Sequence, residues 1–398
     1  MLTYREVFRV PQFGALFATG ALQGAASTTG GLALGILVFS ATGSPLLSAL
    51  SMFGSSLAQL IGATLLMSAA DRLPPRAALS CAALAFGLGT AVLAVPGLPL
   101  PLVFAVVLGE GAVAAVAGGV RYGLLGEILP KDAYLLGRSV LNMCAGTVQV
   151  CGYAAGGVLV AALSPRGTLL VAAALYAAGA AAARFGLARR PARTAGRPSV
   201  AETWRTNALL LSSAPRRRVY LALWLPNGLV VGCESLFVPY MPDRAGLLFA
   251  CAALGMLAGD TVAGRLVPPR WHGRLGTPAL LLLATPYLLF AWRPGLPWSL
   301  VLATLASTGF AASLLLQERL MALTPQASTG QALGLHASGM LALQGVAAAL
   351  AGTVARWLSP ATAITVMAAA SLVVTLLLAP GLRRDRARGP AAPRLPVT

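Results

Sequence analysis

Charge is what this sequence has least of. Only 10% of its 398 residues are Asp, Glu, Lys or Arg, against about 25% in a typical soluble domain. Hydrophobic residues make up 57% and the mean hydropathy is +0.79, which excludes a single globule with an aqueous surface. Acidic residues are scarcer still, 11 against 29 basic ones, and all but one of the basic residues (Lys131) are arginine. Only Glu127 and Asp132 fall within five residues of each other, so clustered acids for Mg²⁺ are missing, and with them a membrane prenyltransferase or phosphatase site. Two histidines, His272 and His336, and five dispersed cysteines without a CxxC leave no metal site and no disulfide framework. No phosphate-binding P-loop and no HExxH are present. No cofactor is expected. Nucleic acid is not expected either, because charge-free runs do not build a DNA-binding face.

Long apolar runs fill the space that charge leaves. No charged residue occurs between Arg9 and Asp71. A spanning helix needs about 20 residues, so this run holds two, hinged at Ala41-Thr42-Gly43-Ser44-Pro45. The run is too long for a signal-peptide core and is expected to be the first membrane helix. The same punctuation by Gly and Pro gives twelve spans, near 13–39, 46–69, 77–95, 101–122, 138–163, 167–186, 219–241, 245–263, 277–292, 298–316, 331–355 and 360–380. Alternation is absent, so the spans are helices and not barrel strands. With the N-terminus inside, 25 Lys and Arg fall on the inner side and 4 on the outer. This bias predicts a multi-pass protein of the cell membrane with both termini cytoplasmic.

One connection is long. Residues 187–218, rich in Arg, Pro and Ser, divide the spans six and six. The expected organisation is an N-terminal six-helix half over 1–186, a basic cytoplasmic linker over 187–218, a C-terminal half over 219–382 and a disordered tail over 383–398. An amphipathic surface helix is expected around Val200–Leu211, with anionic lipid headgroups as its partner. The halves repeat each other: Asp71-Arg72-Leu73-Pro74-Pro75-Arg76 follows the second span and Gly264-Arg265-Leu266-Val267-Pro268-Pro269-Arg270 the eighth. Paired six-helix units around a cavity are a transporter architecture.

These residues resemble the major facilitator superfamily over nearly the whole chain. The family's loop after helix 2, Gly-x-x-x-Asp-Arg-x-Gly-Arg-Arg/Lys, is matched by Asp71, Arg72 and Arg76, with Met67 and Pro74 replacing its glycines. The drug-exporter pattern Gly-Pro-x-x-Gly-Gly of helix 5 appears as Gly152-Tyr153-Ala154-Ala155-Gly156-Gly157, with Tyr153 in place of proline. Where the family often has Arg-x-x-Gln-Gly in helix 4, the chain has Val107-Leu108-Gly109-Glu110-Gly111, without the Arg. The stretch from Arg121 to Pro130 is similar to the drug/macrolide and siderophore exporter branch. The resemblance implies an all-α membrane fold of twelve helices in two pseudo-symmetric halves. It also implies a secondary transporter, here an exporter, with a conformational latch at Asp71, Arg72 and Arg76.

Two carboxyls, Glu110 and Glu234, stand near mid-span. A charge at that depth costs at least ~2.5 kcal/mol, so each is a candidate proton carrier or substrate anchor; the alternative is a structural glutamate bonded between helices. Gln23, Asn227 and Trp224 are candidate cavity contacts, although interhelical glue or packing is the commoner use of such residues. Asp260 and Arg265 are candidates for a gate at the inner end of helix 8. Gly152, Gly156 and Gly157, with Tyr153, suit close helix packing. The function expected is proton-coupled export of a small amphipathic or hydrophobic molecule by a monomer, with import or facilitated passage of a small metabolite as the alternative. A membrane enzyme or a scaffold is the reading from another class.

Overall fold

The computed structural model describes residues 7–70, 73–129, 131–191, 200–325 and 328–387. Proline starts most of the helices. It costs nothing in the first turn, where its missing N–H would have no intrahelical partner. Helix α1 (Pro11–Thr42) ends on Gly43, whose φ of 61° is the left-handed cap that a residue without Cβ adopts freely, and whose N–H bonds back to the Phe39 carbonyl. It is followed by α2 (Pro45–Ala70), α3 (Pro75–Leu93) and α4 (Leu100–Ile128). The next stretch, Lys131–Gly186, is helical throughout except at Ser164, where φ is 72° and ψ 164°. That break makes two helices, α5 (131–163) and α6 (165–186). Pro165 opens α6, the Ser164 hydroxyl accepts the Gly167 N–H at 3.4 Å, and the Ser164 carbonyl takes the Thr168 hydroxyl at 2.9 Å.

A linker helix, Val200–Ser212, lies where an amphipathic segment is expected. The second half then runs α7 (Ala214–Tyr240), α8 (Ala245–Arg265), α9 (Pro269–Leu288), α10 (Leu296–Ala322), α11 (Thr329–Val354) and α12 (Pro360–Ala387). Ten helical stretches are long and apolar enough to cross a membrane. One of them covers both α5 and α6, and α2 adds another, so the fold has twelve spanning helices.

Several boundaries differ from the hydropathy reading, among them the end of α4, the start of α5 and the end of α10, and two of them show the cause. Helix α9 begins at Pro269 and not near 277, because Pro268-Pro269 can start a helix while Arg270, His272 and Arg274 keep its first turns polar. There the Arg274 guanidinium lies over the Trp271 ring at 5.4 Å, and His272 Nδ1 sits 2.7 Å from Glu318 Oε2. Helix α7 begins five residues before the expected 219 and passes through Pro226 without ending. The buried Pro226 carbonyl accepts the Ser371 hydroxyl of α12 at 3.2 Å, which ties the proline turn to its neighbour.

Within the first half, α1 packs on the α5–α6 pair, α3 on α6 and α2 on α4; within the second, α7 packs on α11 and α12, and α8 on α10. The halves meet along α2–α11 and α5–α8. Both seams are tightest at the end remote from the linker. A Cβ on Gly352 would come within 2.5 Å of Leu46 Cα, and one on Gly246 within 2.7 Å of Gly157 Cα. Small residues here let backbones touch, which is the main source of helix association where lipid removes the hydrophobic drive. The arginine bias fixes a simple expectation for orientation. A reporter active only outside the cell, fused after Thr398, stays silent; a bright signal would reverse the topology.

Candidate functional site

Glu234 is the most confined acid. Only 9% of it is exposed, and it stands six residues before the end of α7 at Tyr240. Its Oε1 accepts two hydroxyls, Ser307 Oγ of α10 at 3.2 Å and Tyr287 Oη of α9 at 3.4 Å. No cation pairs with it among the described residues. Tyr287 is itself fully buried and packs on Phe237 and Phe290. Helices from three positions of the second half therefore converge to hold one carboxyl.

This carboxyl forms part of the wall of a cavity of about 340 Å³ between the halves. Asn142, Gln149 and Tyr153 of α5 face it from one side, and Asn227 of α7 and Asp260 of α8 from the other. Asn227 Oδ1 accepts the Gln344 amide of α11 at 2.9 Å. Tyr153 stacks on Phe249 of α8, with ring centroids 4.9 Å apart. Phe53, Met256, Phe310 and Met340 supply apolar wall. The lining is thus divided about evenly between apolar side chains and hydroxyl, amide and carboxyl groups.

Glu110 lies elsewhere. It borders a second cavity, about 400 Å³, inside the first half, together with Gln23, Thr28, Arg121 and Tyr176. Its Oε1 accepts the Thr90 hydroxyl of α3 at 3.3 Å and lies where a Cβ on Gly89 would stand, 2.7 Å away. Gln149 belongs to the walls of both cavities. Helices 4 and 7 are not counterparts in the two halves: α4 repeats as α10 and α7 repeats α1. What is equivalent is the junction reached. Glu110 arrives from α4 at its contact with α3, and Glu234 arrives from α7 at the contact of α9 with α10.

Other candidates divide. Gln23 borders the first-half cavity, and its Nε2 is buried without a hydrogen-bond partner. Trp224 borders neither cavity. Its Nε1 donates to the His336 carbonyl at 3.0 Å, its ring rests on Tyr220, and it fills the space beside Gly339. That is helix packing of α7 on α11, and the expectation of a cargo contact is corrected accordingly. Asp260 faces the cavity with no ion pair among the described residues, and the Arg265 guanidinium lies 3.8 Å from Met143 Sδ across the halves. Asp260 and Arg265 are therefore not joined as a gate pair. The glycines of α5 do pack: Gly152 and Gly156 on Thr28 and Thr29 of α1, Gly157 on Gly246 of α8, and the Gly152 carbonyl accepts the Thr29 hydroxyl at 3.1 Å. Asp71 and Arg72 lie outside the described residues. Arg76 stands in the first turns of α3.

Three contributors were not singled out from the sequence. Tyr287 and Ser307 sit in apolar runs and carry no local signal. Arg121 counts in the sequence as one of the inner-side positive charges, yet its guanidinium turns into the bundle against Gly20, where a Cβ would overlap it. The pairing of Gly20 with Arg121 across α1 and α4 is invisible without the fold. Among the described residues no group of three or more His, Cys, Asp or Glu could hold a metal ion.

Residues 15–313 match the Major Facilitator Superfamily. No curated protein matches the chain in sequence. Among solved structures, an alanine variant of the nucleoside transporter NupG is similar with a TM-score of 0.75 at 13% identity, covering 93% of this chain and 99% of that one. A POT family transporter in complex with a thioalcohol-conjugated peptide gives 0.73 at 13%, covering 93% and 96%. The peptide transporter POT in complex with sulfate gives 0.70 at 15%, covering 94% and 95%. At these identities the likeness is one of fold.

Proposed function

Starting from the fact that the chain belongs to the Major Facilitator Superfamily and is a membrane transporter of that type, we propose that it exports a small amphipathic molecule against proton entry, with Glu234 as the proton-carrying group. One observation carries this reading: a carboxyl in the wall of the inter-half cavity, held by two hydroxyls and, among the described residues, by no cation. Burying an unpaired charge costs far more than burying its neutral form, so such a group is suited to exchange a proton as the cavity changes sides. The hydroxyls of Tyr287 and Ser307 can turn to serve either form, since each donates or accepts.

The amphipathic cargo follows from the wall. Phe53, Phe249, Phe310 and Met340 offer apolar contact, and Asn142, Gln149, Ser313, Gln317 and the carboxyls offer hydrogen bonds beside it. The tight seams at Gly352 and Gly246 act in this reading as the outer gate. Asp71, Arg72 and Arg76 act as the inner latch, with the chain as a monomer of the cell membrane and both termini cytoplasmic. Comparing metabolites inside and outside deletion and parent cultures identifies the cargo. Its uptake into inverted vesicles then collapses with a protonophore. Cargo accumulating outside deletion cells would turn the direction to import, and protonophore-insensitive uptake would remove the coupling.

A further inference from the structure

The described residues hold a third cavity, at the linker end of the first half and outside the transport path. It measures about 660 Å³ and lies between the start of α3 and the end of α6. Four arginines line it: Arg76 from α3, Arg184 from α6, and Arg189 and Arg190 from the segment that follows. Ser80 and Cys81 belong to the α3 wall, and no acidic side chain is among the described residues that line it. Like charges gathered without an anion repel one another, so the arrangement is poised for an anionic occupant.

The four arginines differ in what already holds them. Arg190 is fixed: its guanidinium donates to Glu127 Oε2 at 3.3 Å and to Gln12 Oε1 at 3.1 Å. The other three carry no ion pair among the described residues. The Arg76 Nε is buried and has no hydrogen-bond partner, which is a cost that a bound acceptor would remove. The start of α3 adds to the same field. Among the described residues Pro74 supplies no capping side chain and the first turn contains no acid, so the free N–H groups and the positive end of the helix dipole add to the positive field. Guanidinium groups meet phosphate oxygens in bidentate pairs.

We propose that this cavity binds a phosphate group. Two sources share that chemistry, the headgroup of an anionic phospholipid and a soluble phosphate. The setting favours the lipid. The cavity opens where two spanning helices end, and Phe185, 84% exposed, and Leu73, 42% exposed, stand beside Arg184 and Pro74 as apolar surface for an acyl chain. The basic linker continues from the same rim, so the site gives the expected attraction of the linker for anionic headgroups a defined seat.

Native mass spectrometry on the full-length protein, with phosphatidylglycerol, phosphatidylcholine or inorganic phosphate added, tests the assignment. Phosphatidylglycerol is retained and phosphatidylcholine is not. Arg76→Gln with Arg184→Gln weakens retention at least about tenfold, the loss of one charge-assisted bond, whereas Arg205→Gln with Arg217→Gln, the same change of charge in the linker helix and the first turn of α7, leaves it intact. Competition by inorganic phosphate at equal strength assigns the site to a soluble phosphate; its absence assigns the lipid. Equal retention of both lipids, or equal loss in the two double variants, overturns the site. A readout on the unmodified chain guards against a misfolded variant. Cys81, exposed on the same wall, is alkylated more slowly with phosphatidylglycerol bound, and an unchanged rate with lipid demonstrably bound places that lipid elsewhere.

Discussion

Glu234→Gln removes proton-driven transport and spares exchange of cargo across the membrane. The amide keeps the shape of the carboxyl and can still accept from Ser307 and Tyr287, which lie 3.2 and 3.4 Å from Oε1. Stability is therefore expected to change by no more than about 1 kcal/mol, the net worth of one hydrogen bond. What the amide cannot do is release a proton. Uptake into inverted vesicles loses its response to an imposed pH gradient, while counterflow of labelled against unlabelled cargo continues, because exchange needs no net proton movement. Glu234→Ala is the poorer test. It strands two buried hydroxyls at roughly 1–3 kcal/mol each and confuses lost folding with lost coupling. Glu110→Gln is expected to leave most of the gradient response, since Glu110 borders the first-half cavity and reaches the inter-half cavity only through Gln149. A full gradient response in Glu234→Gln would move the coupling to Asp260, the next carboxyl on the cavity wall.

Gly246→Val shifts the resting state of the protein. A Cβ at Gly246 would stand 2.7 Å from Gly157 Cα and 3.0 Å from the Tyr153 carbonyl, both backbone atoms of α5 that cannot swing aside. Overpacking of this kind costs about 1–3 kcal/mol. The cost falls only on the arrangement in which α5 and α8 are closed together at this end. A bias of ~1–3 kcal/mol changes a two-state ratio by roughly 5–150-fold. Amide hydrogen exchange at the start of α8 should rise and the transport rate should fall, with the protein still folded. Gly14→Ala is the matched control, because a Cβ there meets nothing within 4 Å. Unchanged exchange at α8 in Gly246→Val would mean that the α5–α8 seam does not open during transport.

Both experiments depend on contacts of different legibility. The carboxyl of Glu234 was visible in the sequence because a charged residue inside a long apolar run stands out against its background. Its partners were not, because a Tyr or a Ser in a membrane helix carries no mark of which neighbour it will meet. The Gly152 to Gly157 segment declared close packing, yet not that Gly157 would serve the seam between halves while Gly152 and Gly156 serve α1. The sequence left Trp224 between cavity contact and helix packing, and the rotation of α7 against α11 set it in the packing.

The division has one physical cause. In lipid each helix satisfies its own backbone hydrogen bonds, so the number of spans and their approximate limits depend on local composition, and the apolar runs, the prolines at helix starts and the arginine bias determined them without any tertiary information. The repeat of Asp71–Arg76 in Gly264–Arg270 likewise fixed the division into two halves. Contacts between helices depend on rotation about each axis, and in a chain apolar on nearly every face no amphipathic stripe encodes that rotation. Only the tertiary structure decided that Glu234 would meet Tyr287 and Ser307, that Glu110 would lie in a separate cavity, and that Arg121 would turn inward against Gly20. It also brought Arg76 and Arg184, more than a hundred residues apart, to the two walls of one cavity.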